Sequence, residues 1–528
     1  MKSRRTMSLS LVFILFLISL LLFVYYSEED QTKKTGWLVD HETRVKVMRY
    51  EHPNQYINKN APVFKEVLRQ TNIDLEFEAV PLAHYEEKKK VALATKNFPD
   101  IIQVNQQNLI DFSESRVFLP LNEYLVQHAP HFQALLEQNP DIQKLMVGGK
   151  LYAFPIIHRE KSTAGSISSY GPVIRQDLLD QHHLPVPTSF VQLADTLKTL
   201  KQLYPDSIPW TNRKGTINLL DTIAYPLGSG FGTNGLYYEP NQGNVDGRFV
   251  YGPISQDFPV VLRYLNDLYV SGVLDPNYMV TTTQQWVENM VSGSSFFYYD
   301  TVDFSMTMGQ SLLKSEPEGK LELIPVPHNH KSQRRSLSSP AQIGDQLYAI
   351  NAKAKNPELL IQFLDWMYSP QGSSLMNYGI LGTHYTIEDG QYMINPEVRE
   401  LYLKTEDPVH TMQGAIGTGS LAFGLYVDEL PIEQLMQNQY ARILETIHLD
   451  NAYVEQMIEP PLTTIEVVRV REIMAKLDKL LIPQIDAFIM GTKPLEEYTD
   501  FRDQLIDAGA IYLENIYNHA MNRFTQTQ

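Results

Sequence analysis

One long apolar run stands at the N-terminus of this chain of 528 residues. It extends from Met7 to Tyr26, only three serines interrupt it, and no later segment approaches its apolar length. Twenty helical residues span about 30 Å, the thickness of the hydrocarbon core of a bilayer. Positive flanks stay on the cytoplasmic side of a membrane, and this run follows Lys2, Arg4 and Arg5. The sequence therefore predicts a transmembrane signal-anchor over residues 1–30, a linker over 31–43 and an extracellular globular part over 44–528.

A cleaved signal peptide is the alternative for this run. Signal peptides have a shorter apolar region that ends in a small-x-small cleavage site, and no such site follows Tyr26. Anchoring by a lipid at the N-terminus would need a cysteine, and the chain has none. We therefore expect an uncleaved helix that holds the protein on the cell membrane.

Charge and composition exclude several classes of protein. The chain has 61 acidic and 44 basic residues, a formal charge of −17, which disfavours nucleic acid as a partner because phosphate contacts need clustered Lys and Arg. The absence of cysteine excludes disulfides, thiolate metal sites and cysteine nucleophiles. A chain this long has ample material for two or three domains or one large two-lobed body.

The order of sequence patterns indicates an α/β fold. Short alternating apolar stretches at 45–47 and 73–79 read as strands around a helix at 61–70, and 98–104 reads as a turn that leads into a buried strand. A capping box, Thr463 with Glu466, begins a C-terminal region that is mostly helical. Because no clean change of composition divides the chain, we expect two lobes interleaved in sequence.

A search for chemistry returns no catalytic signature. The chain lacks metalloprotease, P-loop, nucleophile-elbow and kinase motifs, so we predict that it is not an enzyme and holds no cofactor. No pair of histidines has convincing metal-ligand spacing, and no metal site is predicted. The glycines at 228–232 are too few and wrongly placed for a dinucleotide fingerprint, and they read as a flexible loop.

Aromatic residues offer the candidate ligand contacts. The run 296–300 ends in Tyr298, Tyr299 and Asp300, where tyrosine faces suit sugar rings and a carboxylate can accept hydroxyl hydrogen bonds. A buried strand with a polar end explains the same run equally well. Three more aromatic residues stand in turn-like stretches where exposure is common, namely Tyr170, Trp210 and Tyr225.

Several motifs together resemble the family 1 extracellular solute-binding proteins, the binding subunits of ABC importers, and in particular the large carbohydrate-type branch of Gram-positive bacteria. Each motif is weak alone, but they occur in the order of the family and cover nearly all of residues 45–525. They are 98–102 (FPDII), 149–155 (GKLYAFP), 174–180 (IRQDLLD) with 185–188 (PVPT), 250–253 (VYGP), 272–276 (GVLDP), 365–370 (DWMYSP) and 378–382 (YGILG).

The resemblance implies a periplasmic-binding-protein-like clamshell of two lobes joined by hinge strands. In this family the ligand is typically an oligosaccharide, and the partners are membrane permease subunits with a cytoplasmic ATPase. The family pattern places four residues near the cleft, namely Tyr170, Arg175, Tyr299 and Asp300. Ligand would bias the closed state by binding it more tightly.

Two departures from the family matter. Relatives usually carry a lipid-modified cysteine, for which the apolar helix would substitute here. Many also have a calcium loop where this chain has Leu203–Trp210, which offers a single carboxylate, so we predict no calcium there. A sensory binding protein that presents its ligand to a membrane kinase is the alternative function, and an enzyme acting on surface polysaccharide is disfavoured. A peptide or another polar solute remains an alternative ligand.

Overall fold

The computed structural model describes residues 38–51, 55–158, 169–232, 234–240, 247–338, 343–405, 407–419, 424–426 and 433–527. The predicted anchor and most of the predicted linker lie outside these residues. Among the described residues, no helix is both long and apolar enough to cross a bilayer.

The first lobe is built on a mixed six-stranded sheet. Thr43–Glu51 pairs in parallel with Ile73–Pro81 and with Ile101–Val104, whereas Ile343–Ile350 runs antiparallel to Ile101–Val104. The full strand order is Leu425–Tyr426, Ala153–His158, Ile343–Ile350, Ile101–Val104, Thr43–Glu51, Ile73–Pro81. The helices of this lobe are Pro62–Thr71, Leu82–Thr95, Gln106–Phe112, Leu125–His128, Pro130–Gln138, Pro357–Trp366 and Pro370–Tyr378.

The second lobe has a smaller antiparallel sheet. Its central strand Tyr170–Arg175 lies between Phe297–Thr301 and Leu321–Leu323. A hairpin of Leu236–Glu239 and Arg248–Tyr251 extends from the lobe. The helices are Gln176–Gln181, Phe190–Leu203, Gly215–Leu227, Phe258–Val270, Thr283–Val291, Phe304–Ser315 and Gln437–Asp450.

Strands from distant parts of the chain join the two lobes. The chain leaves the first sheet after His158 and returns to it at Ile343, shortly after the strand Ser336–Ser338. The later strand Tyr453–Glu455 pairs in parallel with Ser336–Ser338, and the chain crosses between the lobes once more near this pair. A hairpin of Tyr385–Glu388 and Gln391–Ile394 and two helices, Pro396–Tyr402 and Pro408–Ile416, complete the middle of the chain.

The C-terminal region is helical, as predicted. Thr464–Ile489 begins with the predicted capping box, because Thr463 and Glu466 each bond the backbone N–H of the other. Tyr498–Ala508 and Ala510–Thr527 follow, and the last helix packs against the strand Arg248–Tyr251. The predicted two-lobed α/β fold is confirmed.

Candidate functional site

A cavity of about 350 Å³ lies between the two lobes. The first lobe, the second lobe and the crossing segments all contribute to its wall, so a change in the angle between the lobes would change the cavity. The first lobe supplies Asn105, Gln106, Gln107, Leu145, Ile343 and Leu347, the second supplies Asp221, Gly232, Leu236, Tyr237, Tyr238 and Phe249, and the crossing segments supply Leu337, Gln456, Met457, Ile458 and Glu459.

Three consecutive amide side chains form the first-lobe side of this cavity. They follow the buried strand Ile101–Val104 directly, at the carboxyl end where open α/β sheets bind ligands. Asn105 caps the next helix, since its Oδ1 accepts the backbone N–H of Asn108 at 2.9 Å. Gln106 Nε2 donates to the carbonyl oxygen of Lys144 at 3.3 Å. These bonds hold the amides in place beside the cavity.

Two adjacent tyrosines form part of the second-lobe wall. Tyr237 Oη donates to Glu239 Oε2 at 2.8 Å, and the Tyr238 ring packs edge-on against Phe249 with centroids 5.2 Å apart. A Cβ added to Gly230 would lie 2.4 Å from the Tyr237 ring, so this glycine lets the ring lie directly against the backbone. The segment 228–232 is a loop, but it is buried and packed where the sequence indicated flexibility.

Two carboxyl groups face the cavity, and a tyrosine hydroxyl donates to each. Tyr170 Oη donates to Asp221 Oδ2 at 3.2 Å, and Tyr517 hydrogen-bonds Glu459. Burial raises the pKa of Asp221 to about 6 and the pKa of Glu459 to about 7. Both carboxyls therefore take up a proton at a higher pH than an exposed carboxyl does.

A lysine side chain on the helix Phe190–Leu203 bonds the loop at which many relatives are expected to have a calcium site. Lys201 Nζ donates to the carbonyl oxygens of Pro205 and Ser207, at 2.7 Å each. These carbonyls therefore already have a positively charged partner. Across the described part of the chain, no group of three or more His, Asp or Glu side chains is placed to hold a metal ion.

A model of the bacterial extracellular solute-binding protein family matches residues 54–373. The chain belongs to this family. The polygalacturonan/rhamnogalacturonan-binding protein YtcQ of Bacillus subtilis (strain 168) is 25% identical over 374 residues, which cover 66% of this chain and 72% of that protein.

Solved structures of other solute-binding proteins share the fold. The alginate-binding protein AlgQ2 without calcium ion has a TM-score of 0.78 at 22% identity, over 93% of this chain and 100% of that one. The Streptococcus pneumoniae substrate-binding protein FusA, as an EF-hand mutant in complex with fructo-nystose, has a TM-score of 0.70 at 16% identity. That likeness covers 92% of this chain and 100% of FusA.

Two of the predicted site residues of this solute-binding protein contact side chains of the cavity wall. Tyr170 is half-buried and bonds Asp221. Tyr225 lies edge-on to Tyr237, with ring centroids 6.2 Å apart, and the Arg335 guanidinium lies 3.9 Å from its ring centroid. Both tyrosines therefore support the wall from behind.

The other predicted aromatic residues lie inside the second lobe. Trp210 has no exposed surface and packs edge-on against Phe297, with centroids 4.6 Å apart. The prediction that Trp210 and Tyr225 are exposed is wrong, because both side chains are buried. Trp210 is buried because its backbone forms β-bridges with Leu274 and Phe297 inside the lobe. Tyr298 packs on Trp286, and Tyr299 Oη donates to Ser336 Oγ at 2.9 Å.

The predicted charged residues are each held in an ion pair. Arg175 bonds Asp177 through Nη2 at 2.6 Å, and Asp300 bonds Arg213. Both Arg175 and Asp300 are 3% exposed or less, so in this conformation neither presents a charge to the cavity. Their contact with ligand stays a prediction.

Sequence reasoning missed the residues that form the wall itself. A signal existed for the amides, since three of them directly follow a buried strand, and for the adjacent Tyr237 and Tyr238 after a glycine-rich turn. Nothing local distinguishes Asp221 or Glu459 among 61 acidic residues. Only the packing of the two lobes brings them to one cavity.

Proposed function

We propose that this solute-binding protein captures an oligosaccharide in the cavity between its lobes and delivers it to an ABC importer. The observation that carries the proposal is that both lobes and the crossing segments line one cavity of about 350 Å³. This volume lies in the range of about 300–1,000 Å³ usual for small-molecule sites. Family membership supports the same role.

The chemistry of the wall suits a sugar. Amide side chains such as Gln106 and Gln456 both donate and accept hydrogen bonds, as sugar hydroxyls require. The tyrosine rings offer apolar faces to the C–H surfaces of a pyranose, with a hydroxyl at the edge. We place the ligand between the amides of the first lobe and Tyr237 and Tyr238 of the second, with Tyr170 and Tyr225 in support.

Closure of the lobes would distinguish the ligand-bound protein from the free protein. A ligand that contacts both walls binds a closed form better than an open one, and it shifts the population by that difference in affinity. The segments near His158, Ile343 and Tyr453 are the hinge in this proposal. Permease subunits in the membrane would recognise the closed form, and the protein itself would perform no catalysis.

We further propose that Met7–Tyr26 is an uncleaved helix that tethers the protein to the outer face of the cell membrane. Its apolar length and the basic residues before it support this arrangement. Extraction of membranes with alkaline carbonate should leave the protein in the pellet, and Edman sequencing should return the residues at the start of the chain. Release into the supernatant, or a start near residue 30, would contradict the tether.

Binding of oligosaccharides to the full chain in mild detergent tests the main proposal. Calorimetric titration with a panel of plant, bacterial and fungal oligosaccharides should give one saturable class of ligand. Small-angle scattering should show a smaller radius of gyration with that ligand. The double variant Tyr237→Ala/Tyr238→Ala should lose most of the affinity, whereas Tyr512→Ala, at an exposed position on the last helix, should retain it.

Uptake in cells tests the transport step. A strain without this protein should lose uptake of the labelled ligand, and the wild-type gene should restore it. If the full panel gives no binding, the proposed function is wrong. If ligand binds but uptake is unchanged, the capture role stands and delivery to the importer is wrong.

A further inference from the structure

We infer that the cavity selects uncharged oligosaccharides and rejects chains of uronic acids. The inference rests on the proposed function and narrows its substrate class. It also separates this chain from its polygalacturonan/rhamnogalacturonan-binding relative and from the alginate-binding protein of the same fold.

Asp221 and Glu459 are the charged residues among the described residues that line the cavity. They come from different parts of the fold, since Asp221 lies on the helix Gly215–Leu227 of the second lobe and Glu459 lies on the last crossing segment. Every other polar lining side chain is an amide or a tyrosine phenol. From the residues that the structure describes, a ligand in this cavity therefore meets neutral polar groups and two acids.

Three described basic side chains in segments next to the wall have carboxylate partners. Arg213 bonds Asp300 at 2.8 Å, Lys144 bonds Asp141 at 2.8 Å and Arg335 bonds Glu239 at 2.8 Å. Each of these cations is balanced within the protein, so none brings a net positive charge to a bound carboxylate.

Lys214 is the further cation that acts on Asp221, and it lowers the pKa of that carboxyl from an exposed position. Burial outweighs it, and the pKa of Asp221 remains raised to about 6. Solvent screens the charge of an exposed lysine, so Lys214 compensates little of the negative charge inside the cavity.

The energetic consequence follows from burial of like charges. A uronate that enters the cavity loses water from its carboxylate and gains two neighbouring acids, and either the ligand or the wall must then take up a proton. A neutral sugar incurs neither cost, and its hydroxyls can donate to Asp221 and Glu459. The same wall therefore favours hydroxyl groups and penalises carboxylates.

Matched pairs of ligands test this inference on the full chain. Titrations at pH 8, above the pKa values of about 6 for Asp221 and about 7 for Glu459, would compare galactotetraose with tetragalacturonate, mannotetraose with tetramannuronate, and tetragalacturonate with its fully methylated ester. We expect each neutral member that binds to do so at least about tenfold more tightly than its acidic partner. Esterification removes the charge and keeps the chain, so it should recover the affinity.

Variants that neutralise Asp221 and Glu459 test whether these two acids cause the preference for neutral ligands. The double variant Asp221→Asn/Glu459→Gln should raise the affinity for the uronate member of a binding pair, by about tenfold. Glu318→Gln, an exposed carboxyl elsewhere on the second lobe, removes one charge from the protein and should leave the uronate affinity unchanged. Both tyrosine partners can still donate to the amide oxygens, so the wall keeps its hydrogen bonds.

The outcomes separate the two proposals. A uronate that binds as tightly as its neutral partner or its ester overturns the inference and leaves oligosaccharide capture intact. A double variant that behaves like Glu318→Gln also overturns it, because the two acids would then not set the preference. If no sugar of either charge binds, the proposed function fails and this inference fails with it.

Discussion

Arg213 and Asp300 form an ion pair with two hydrogen bonds inside the second lobe. Arg213 Nε donates to Asp300 Oδ2 at 3.0 Å, and Nη2 donates to Oδ1 at 2.8 Å. The guanidinium also lies over the rings of Trp286 and Phe304, at 5.1 and 4.6 Å. Burial alone would raise the pKa of Asp300, but the charge and hydrogen bonds of Arg213 outweigh it and hold the pKa below its usual range. Asp300 therefore stays ionised in the core of the lobe.

Removal of Arg213 should destabilise the protein strongly. Arg213→Met leaves a buried carboxylate without its partner, and we expect a loss of about 3–5 kcal/mol in the free energy of unfolding. The double variant Arg213→Met/Asp300→Asn should recover part of this loss. Arg469→Met breaks an exposed pair with Glu472 and should cost under about 1 kcal/mol. Urea denaturation measures all three, and equal losses for Arg213→Met and Arg469→Met would contradict the prediction.

Ionisation of Glu459 should lower the stability of the protein as the pH rises. Its pKa in the folded protein, about 7, is above the value of about 4.3 in an unfolded chain, so the native state binds more protons between these values. The contribution to stability is complete below about pH 4 and is lost as the pH rises through 7. Glu459→Gln stays neutral at every pH. The Tm of the variant minus the Tm of wild type should therefore increase by roughly 2 °C between pH 4 and pH 8.

Melting curves at several pH values measure this difference. Glu318→Gln serves as the control, and its difference from wild type should stay constant with pH. A constant difference for Glu459→Gln as well would mean that burial does not raise the pKa of Glu459.

Calcium should not change the stability of this protein, and the ammonium group of Lys201 should stabilise the loop 203–210 instead. Lys201→Met removes two charge-assisted hydrogen bonds to loop carbonyls, and we expect a loss of about 1–3 kcal/mol. Lys198→Met on the same helix breaks a partly exposed pair with Asp267 and should cost under about 1 kcal/mol. Thermal unfolding with EDTA and with added calcium should give the same Tm for wild type. A higher Tm with calcium would show a metal site that the lysine does not replace.

Trp210 should contribute to stability and not to affinity. Its side chain is fully buried against Phe297, so Trp210→Ala should cost about 3–5 kcal/mol. Trp210→Phe keeps an aromatic ring, and we expect a lower Tm with an unchanged Kd for the oligosaccharide. The opposite result, a lost affinity at an unchanged Tm, would restore the interpretation of Trp210 as a ligand contact.

Gly230 should control affinity through Tyr237. The Cβ of Gly230→Ala would meet the Tyr237 ring at 2.4 Å, so the ring must move from its position in the cavity wall. We expect a loss of about 1–3 kcal/mol in stability from the overpacking, together with a lower affinity. Gly309→Ala, where the nearest atom lies 3.9 Å from the new Cβ, should leave both unchanged or raise stability. An unchanged Kd for Gly230→Ala in calorimetry would contradict the role of Tyr237.

Local patterns were sufficient for many elements. The capping box at Thr463 begins a helix because its two reciprocal bonds need only four consecutive residues. The strand at Phe297–Thr301 also follows from its β-favouring side chains. The order of the motifs supported the two-lobed fold, since each motif marks a turn or the end of a helix or strand that proteins of this fold have in common.

The same strand shows where local reasoning ends. Alternation places successive side chains on opposite faces, and the sequence left open which face met solvent. The structure covers both faces, so Tyr298 packs on Trp286 while Tyr299 bonds Ser336. Burial of a strand depends on what lies above and below it, and those neighbours come from other parts of the chain.

By itself the sequence determined the charge, the absence of cysteine, the single apolar run and the local elements, because each depends on residues near one another in the chain. Tertiary structure decided the cavity wall. Tyr170 meets Asp221 across 51 positions, and Arg213 meets Asp300 across 87. Such contacts form only when segments far apart in the sequence fold against one another, because hydrogen bonds and ion pairs act over a few ångströms of space, whatever the separation of the two residues along the chain.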